Sequence, residues 1–515
     1  MNDIIATLMQ LLPKNKAKAH VGVADFIHWD YSGTLFPLRT NAIVLQFNEA
    51  GLRDFIYSKV LSKADKEYCF LPQQRVFATK PKGHLRRTVK LDPVAEYFLY
   101  DFVYRNRSVF RKAVSGKRLS FGYRYEDGLP VPVNSSYREF KAALGECRGK
   151  FKHHIRFDIA AYFNSIYHHD LTHWVSSRDG VSAEDGEAFG QFTREINAGR
   201  SVDFLPQGIF PAKMIGNEFL KFVDLSGQLK SAQLVRFMDD FYLFDDSMGV
   251  LLRDFTTIQQ LLGQFALNVN PSKTGIDDFQ ADVAAKVSEI KKSLLEVVEI
   301  EDFIETASGV EVTSEMVEVE HQLSVAQVEM LLSFLKDDAL EESDAEVILN
   351  ILRMHSDSML EYLPVLFARF PNLYKQLHAV CSHVNDKEGL ADVLLKFLEE
   401  SEPLLEYQLF WLAHIVEESL AKSAKFGDLM VKLYDLTGEA RIARAKVLEI
   451  PTQDFGFKEI RGEIPKSGSS DWTAWAAAVG TRTLKLAERN YMLDYFAKGS
   501  PLNHIVATSV KASSE

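Results

Sequence analysis

The stretch of residues 234–244, which reads Leu-Val-Arg-Phe-Met-Asp-Asp-Phe-Tyr-Leu-Phe, constrains the fold more than any other part of the chain. Two adjacent carboxylates, Asp239 and Asp240, stand between two apolar, aromatic-rich runs that are each long enough for a β-strand. This pattern predicts a β-hairpin with Asp239-Asp240 as its tight turn. Because an unpaired carboxylate is costly to bury, an acidic pair in such a turn must either face water or hold a cation.

Length and composition are typical of a soluble globular protein with two or three domains, since the chain has 515 residues and is 46% hydrophobic. Cys69, Cys147 and Cys381 are too widely spaced for a disulfide framework or a zinc motif, so we expect a reducing, cytoplasmic location. The first residues do not resemble a signal peptide, and no apolar run approaches the roughly 18 residues of a membrane span. We therefore expect no contact with a membrane.

The net charge of −12 conceals an uneven distribution of charge along the chain. Residues 51–150 contain 21 Lys and Arg against 10 Asp and Glu, whereas residues 301–350 contain one Lys against 14 Asp and Glu. The basic segment would attract phosphate groups and the acidic segment would repel them. Any nucleotide or nucleic acid is therefore expected to bind the N-terminal half.

The basic segment includes a loop and short strand that carry Lys80, Lys82, Arg86 and Arg87. These cations either form a solvated positive surface or bind a triphosphate or a nucleic-acid backbone. The sequence alone leaves both interpretations open.

A second acidic element, Asp158, ends a β-rich run and precedes a turn that leads through Asn164 or Ser165 into a helix. Asp158 either caps this turn or points into a cleft beside the Asp239-Asp240 hairpin. In the second case the facing carboxylates could hold two divalent metal ions about 3.5–4 Å apart, which suits in-line phosphoryl displacement. Oxygen ligands and a phosphate substrate favour two Mg²⁺ ions, with Mn²⁺ as an alternative.

Two further motifs lie between and after these acids. Pro206-Gln207-Gly208 forms a loop before a helix predicted at 212–222, and Lys273 follows a helix predicted at 248–264. A glycine in such a loop allows a ligand to approach the main chain closely, and Gln207 offers both a donor and an acceptor.

Taken in order, the basic segment, the Asp158 element with Phe163 five residues on, the Gln207 loop, the Asp239-Asp240 hairpin and the Lys273 turn resemble the motifs of reverse transcriptases. The resemblance covers residues 70–275 and departs mildly from the family at Phe237, usually Tyr, and at Ala212, often Ser. It implies a fingers–palm fold of the α+β class, with Lys273 as the general acid for the leaving pyrophosphate and Phe163 as the gate that excludes a ribose 2′-hydroxyl. The catalytic residues that it implies are Asp158, Asp239, Asp240 and Lys273. The metal ligands that it implies are Asp158, Ile159, Asp239 and Asp240. The nucleotide-binding residues that it implies are Lys80, Lys82, Arg86, Arg87, Phe163, Gln207 and Gly208.

The C-terminal part has a different character, since apolar stripes at helical spacing recur from residue 281 onward, the first over 281–298. We predict three regions: the N-terminal region and fingers at 1–120, the palm at 121–280, and an all-α C-terminal domain at 281–515. This last domain is either a HEAT-like stack of helical hairpins or a helical bundle. Its acidic beginning replaces the basic thumb that would grip a primer–template duplex, so we predict no conventional thumb.

A reverse-transcriptase palm joined to a large helical region resembles the bacterial abortive-infection (Abi) polymerases, which defend against phage. This resemblance implies a homo-oligomer that polymerises dNTPs without a template and primes on its own tyrosine, so that the single-stranded DNA product is covalently attached. The sequence does not choose among its 18 tyrosines. Two alternatives remain: an RNA-templated reverse transcriptase, as in retrons, and a degenerate palm that serves as a binding scaffold.

Overall fold

A computed structural model describes most of the chain at the level of individual residues. The described residues are 22–80, 83–110, 116–202, 205–277, 295–306, 309–320, 325–335, 340, 342–400, 403–451 and 457–513. Lys82, one of the predicted nucleotide-binding residues, and residues 281–294 of the first predicted C-terminal helix lie outside them.

Helices and strands are mixed along the chain as far as residue 276. In chain order they are α1 (Val23–Tyr31), α2 (Arg39–Phe47), α3 (Glu49–Phe55), β1 (Gln74–Thr79), β2 (Leu85–Lys90), α4 (Pro93–Arg105), β3 (Arg118–Phe121), β4 (Tyr125–Glu126), β5 (Leu129–Pro130), α5 (Val133–Lys150), β6 (His153–Asp158), α6 (Tyr162–Ser165), α7 (His168–Ser176), α8 (Ala183–Ile196), α9 (Phe210–Phe219), α10 (Lys221–Asp224), β7 (Gln233–Phe237), β8 (Asp240–Asp245), α11 (Met248–Gly263) and β9 (Gly275–Ile276). A π-helical turn, Ile56–Val60, follows α3, and a 3₁₀ turn, Pro271–Lys273, precedes β9.

Helices dominate the rest of the chain. In order, the elements are β10 (Leu295–Thr306), β11 (Gly309–Glu320), α12 (Val325–Leu335), α13 (Glu342–Leu352), α14 (Leu363–Arg369), α15 (Tyr374–His383), α16 (Lys387–Glu400), α17 (Glu406–Ser419), α18 (Phe426–Thr437), α19 (Arg441–Glu449), α20 (Phe457–Lys466), α21 (Trp472–Gly480), α22 (Leu486–Phe496) and α23 (Pro501–Ala512). Two 3₁₀ segments, Arg353–Tyr362 and Thr481–Thr483, interrupt this series.

Internal contacts divide the chain into two compact units. The first comprises the described residues of Met1–Pro37, Asn41–Gln73 and Leu91–Ile276, and the second those of Leu38–Thr40, Gln74–Lys90 and Asp277–Glu515. The predicted division into 1–120, 121–280 and 281–515 stays a prediction. The hairpin β1–β2 groups with the second unit, although it precedes the helical region by some two hundred residues in sequence.

A five-stranded sheet is the centre of the first unit, with strand order β3-β7-β8-β6-β9. Strands β3 and β7 are parallel, and every other neighbouring pair is antiparallel. The hairpin β7–β8 therefore occupies the middle of the sheet, with β6 beside it. This order places the end of β6 next to the start of β8.

Helix α5 packs on one face of this sheet. Its residues Phe140 and Leu144 form a buried cluster with Phe121, Val235 and Phe244 of the strands. Burial of these aromatic and aliphatic side chains removes them from water at roughly 25 cal/mol per Å² of apolar surface, which is the main term that holds the helix on the sheet.

Helix α11 packs on the opposite face of the sheet. Successive residues of a strand point to opposite faces, so Phe241 and Phe244 of β8 lie on different sides. The ring of Phe241 stacks on that of Phe157 in β6, with centroids 5.1 Å apart, and Phe157 contacts Phe255 of α11 at 5.0 Å. Strand β8, which begins at Asp240, is thus covered on both sides.

The helices of the second unit pack in two rows. One row contains α13, α15, α17, α19, α21 and α23, each of which contacts the next helix in the row. Neighbours in this row are parallel, as the hydrogen bonds Gln408 to Tyr374 and Ile442 to Glu406 show. Because α14, α16 and α18 form a second row, this arrangement favours stacked hairpins over a closed bundle.

The prediction of an all-α C-terminal domain is wrong for residues 295–320. Strands β10 and β11 pair there as an antiparallel hairpin, from Leu295 opposite Glu320 to Thr306 opposite Gly309. The sequence of this segment alternates apolar and acidic residues, as in Val317-Glu318-Val319-Glu320, and a period of two favours a strand. The last four residues of the predicted helix 281–298 lie in β10.

Among the described residues, no helix is both long and apolar enough to cross a bilayer.

Candidate active site

The turn of the central hairpin lies one residue earlier than the sequence predicts. Phe237 pairs with Asp240, so Met238 and Asp239 form the turn and Asp240 is the first residue of β8. Met238 has a φ of 54°, in the left-handed region that a non-glycine side chain seldom adopts. This backbone geometry places the carboxylates of two consecutive residues at one end of the sheet.

Asp158 is the last residue of β6 and lies directly opposite Asp240 in the neighbouring strand. The expectation that this acid ends a strand beside the hairpin is therefore confirmed. The alternative, in which Asp158 only caps a turn, does not account for this pairing. The adjacent Ile159 is buried and forms an isolated bridge with Val269. Without a polar side chain, Ile159 can offer a ligand only through its main chain.

Lys273 joins this group through the bridge that follows β6. The amide of Asn270 donates to the carbonyl of Asp158 at 2.9 Å, and the Asn270 side chain accepts from the amide of Ser272 at 3.2 Å. This capped 3₁₀ turn orients Lys273, whose Nζ lies 2.6 Å from Oδ2 of Asp158. Three segments that are far apart in sequence thus converge at one end of the sheet.

Burial and mutual repulsion disfavour the ionised forms of the carboxylates at this site. Burial first, and then the neighbouring Asp240 carboxylate, raise the pKa of Asp239 to about 6. Burial also raises the pKa of Asp240, against the opposing effects of Lys273 and Arg156. The hydrogen bond to Asp158 raises the pKa of Lys273, which keeps its ammonium group charged. Added positive charge would stabilise the ionised carboxylates.

The donor set fits the hard divalent ions that the sequence predicts. Oδ1 of Asp158 is buried, and among the described residues it has no hydrogen-bond partner, which leaves it free to coordinate a cation. Asp158, Asp239 and Asp240 do not bring three oxygens within 4.8 Å of one another in the described part of the chain.

Arg236 binds the main chain of the hairpin turn, a role that the sequence analysis missed. Its side chain is fully buried and binds Asp224 through two bonds, of 3.0 and 2.6 Å. It also donates to the carbonyl of Met238 at 2.8 Å and to the side chain of Asn217 at 2.9 Å. Its place within an otherwise apolar strand was the available signal, because a buried cation requires a buried partner.

Phe163 lies in the short helix α6, directly after the strand that carries Asp158. Its ring contacts that of Tyr162 edge-on at 5.4 Å, and a Cβ atom on Gly216 of α9 would come within 3.2 Å of it. The hydroxyl of Tyr162 donates to the carbonyl of Gly216 at 2.6 Å. The glycine therefore leaves room for both rings, and the position of Phe163 is fixed by packing.

The Gln207-Gly208 loop adjoins this helix. Nε2 of Gln207 donates to Oδ1 of Asn164 at 3.0 Å, which links the loop to α6. Gly208 has a φ of 100°, and a Cβ atom there would lie 2.7 Å from the side chain of Leu35. Both its backbone geometry and this close approach require glycine.

The predicted fingers cations Lys80, Arg86 and Arg87 belong to the β1–β2 hairpin of the second unit. Strand β1 packs against α17 there, and Oγ1 of Thr79 donates to the carbonyl of Pro371 at 2.6 Å. Their part in nucleotide binding stays a prediction.

Comparison with known proteins adds little to this geometry. No protein-family model matches the chain, and no curated protein matches it. A structure of telomerase from Candida albicans with a fragment of telomeric RNA aligns with 81% of this chain and 68% of its own, at 11% identity and a TM-score of 0.27. Apo telomerase from Candida tropicalis aligns with 78% of this chain and 70% of its own, at 14% identity and a TM-score of 0.30. Similarity at this level carries no argument about function.

Proposed function

We propose that this protein is a reverse-transcriptase-type DNA polymerase that acts in bacterial defence against phage. It adds deoxynucleotides by two-metal nucleotidyl transfer, begins on a hydroxyl of one of its own tyrosines and needs no template. The observation that carries this proposal is the convergence of Asp158, Asp239, Asp240 and Lys273 at one end of the central sheet. A cytoplasmic homo-oligomer, as in the abortive-infection polymerases that the sequence resembles, is part of the proposal.

The four residues divide the chemistry between them. Asp158, Asp239 and Asp240, with the main chain of Ile159, would hold two Mg²⁺ or Mn²⁺ ions, which polarise the α-phosphate and neutralise charge on the attacking and leaving oxygens. Lys273 acts as the general acid, since its charged ammonium can transfer a proton to the pyrophosphate as the phosphorus–oxygen bond breaks. Its contact with Asp158 keeps this ammonium beside the carboxylates that would hold the ions.

Phe163 would select deoxyribonucleotides over ribonucleotides. A ring that packing holds against Tyr162 and Gly216 cannot withdraw easily, so a ribose 2′-hydroxyl would collide with it. This supports dNTPs as substrates. In the same proposal the nucleotide would be bound by Gln207, Gly208 and the cations Lys80, Lys82, Arg86 and Arg87, as the sequence resemblance implies.

Charge supports synthesis without a duplex template. Residues 301–350, which follow the palm-like unit, carry 14 acidic residues and one basic residue. Such a segment would repel the two phosphate backbones of a primer–template duplex. Its place in the chain is where a polymerase that handles duplexes would have a basic thumb.

The test is incorporation of radiolabelled dNTPs by the purified full-length chain with Mg²⁺ and no nucleic acid. We expect label to become attached to the protein and to be released as DNA by protease. Asp239→Asn should abolish labelling, since it removes a charged metal ligand at the centre of the site. Asp179→Asn is the matched control, because Asp179 is an exposed aspartate outside the carboxylate group.

The result also separates the alternatives. Labelling that requires an added RNA template and yields complementary DNA would replace this proposal with an RNA-templated, retron-like reverse transcriptase. Equal labelling by wild type and Asp239→Asn would contradict any role of the carboxylates. Phage protection that persists without Asp158 and Asp239 would favour a scaffold that acts through its helical region.

A further inference from the structure

We propose that His378, His414 and Glu418 form a transition-metal site in the helical unit, with Zn²⁺ as the ion that its ligand set suits best. Among the described residues they are the one group of three His, Cys, Asp or Glu whose donor atoms all lie within 4.8 Å of one another. These residues belong to the second unit, and the proposed polymerisation does not use them.

Two parallel helices bring the three side chains together. His414 and Glu418 are one turn apart on α17, so they share a face of that helix. His378 lies on α15, which packs beside α17, and the two imidazole rings are nearly parallel with centroids 4.6 Å apart. The contact between Gln408 and Tyr374 holds the same two helices in register one turn earlier.

The separations of the donor atoms suit one small ion. Nε2 of His378 lies 2.9 Å from Oε2 of Glu418, and Nε2 of His414 lies 3.4 Å from Oε1 of Glu418. Ligands bound to Zn²⁺ at about 2.0–2.1 Å in a tetrahedral arrangement lie about 3.3 Å apart. Two histidines and one glutamate leave the fourth position to water, and the partly exposed His378 and Glu418 give solvent access to it.

Glu417 lies near the other nitrogen of the His414 ring. Its Oε2 is 3.7 Å from Nδ1, which is beyond hydrogen-bond distance, while Glu418 faces Nε2. Nδ1 of His414 is buried and has no hydrogen-bond partner among the described residues. A carboxylate near the second ring nitrogen is a common neighbour of a metal-bound histidine.

Several cations lie near Glu417. Lys446 contacts Glu417 and Glu449, and Arg39 and Arg482 also contact Glu417. The charges of these cations are therefore largely balanced on the Glu417 side of the cluster.

The experiment measures Zn²⁺ binding by isothermal titration to the chelator-treated full-length chain that carries Asp158→Asn and Asp239→Asn. These two substitutions exclude binding by the carboxylate group. We expect one equivalent of Zn²⁺ to bind, and Co²⁺ in its place to give the intense visible absorption of a four-coordinate site. His378→Ala should weaken Zn²⁺ binding by more than about 100-fold, since loss of a ligand exceeds the effect of losing its hydrogen-bond partner.

The matched control is His383→Ala, because His383 is an exposed histidine at the end of the same helix α15. It should bind Zn²⁺ as its parent does. Glu418→Gln is a second test at a partly exposed position, and circular dichroism checks that each variant is folded. The proposal is overturned if the parent takes up no Zn²⁺ at about 10 μM, or if His378→Ala and Glu418→Gln both bind it as tightly as His383→Ala.

Discussion

Two clusters of candidate metal ligands differ in their residue types. The carboxylate cluster consists of Asp158, Asp239, Asp240 and Lys273, and the histidine cluster consists of His378, His414 and Glu418. A fully buried cation lies near each cluster: Arg236 in the first unit and Lys446 in the second. Each of these cations is paired with buried carboxylates, so neither is left uncompensated.

The backbones that present the two clusters differ. The carboxylates lie at strand ends, beside residues with left-handed backbone geometry, Ala161 and Met238, whose φ values are 48° and 54°. The histidine cluster lies within regular helices. Strand ends and strained turns can direct several charges to one point, at a cost in stability. Helices place donors one turn apart without strain, and the neighbouring helix supplies the third.

Substitution of the two buried cations should have the largest effect on the free energy of unfolding. It also tests whether Arg236 and Lys446 contribute equally. We expect Arg236→Met to lower the free energy of unfolding by about 3–5 kcal/mol, because it leaves Asp224 buried without its partner. Lys446→Met should cost less, about 1–3 kcal/mol, because Arg39 and Arg482 still contact Glu417. Urea unfolding followed by circular dichroism measures both.

Arg253→Met is the control for these two variants, since the Arg253 side chain is 56% exposed, and it should change stability by no more than about 0.5 kcal/mol. Equal losses for Arg236→Met and Lys446→Met would mean that the remaining arginines do not compensate for Lys446.

Lys273→Met tests the cation that is hydrogen-bonded to the carboxylate cluster. We expect nucleotide incorporation to fall about 10²–10³-fold through loss of the general acid. The Mg²⁺ concentration for half-maximal rate should not rise, because the substitution frees Oδ2 of Asp158. Lys230→Met, at an exposed lysine, is the matched control and should leave the rate unchanged. A raised Mg²⁺ requirement at an undiminished maximal rate would show that Lys273 only organises the carboxylates.

Ala161→Gly tests the backbone strain that only the carboxylate cluster carries, and its effect should be the smallest. Ala161 is exposed and has a positive φ, so glycine should raise the free energy of unfolding by about 0.5–1 kcal/mol. The adjacent Ala160→Gly should lower it by a similar amount, because Ala160 gains nothing from glycine's freedom and loses entropy on folding. The same sign for both substitutions would contradict strain at Ala161.

The sequence allowed prediction of the acidic hairpin, the strand that ends at Asp158, the turn that carries Lys273 and most helices beyond residue 325. Each depends on local patterns: alternation of apolar residues, turn residues and helical stripes. The same local logic was applied wrongly to residues 295–298, which were assigned to a helix although the surrounding alternation favours a strand. The hairpin turn was misplaced by one residue because its two acids, rather than the strand register, were used to locate it.

By itself, the sequence indicated the candidate site residues of the first unit and the order in which they occur. Only the tertiary structure decided that Asp158 faces Asp240, that Lys273 reaches Asp158, and that Arg236 supports the turn. It alone revealed the histidine cluster, since nothing in the spacing of His378 from His414 indicates that α15 and α17 are neighbours. Long-range pairing depends on how whole faces pack, and no local pattern contains that information.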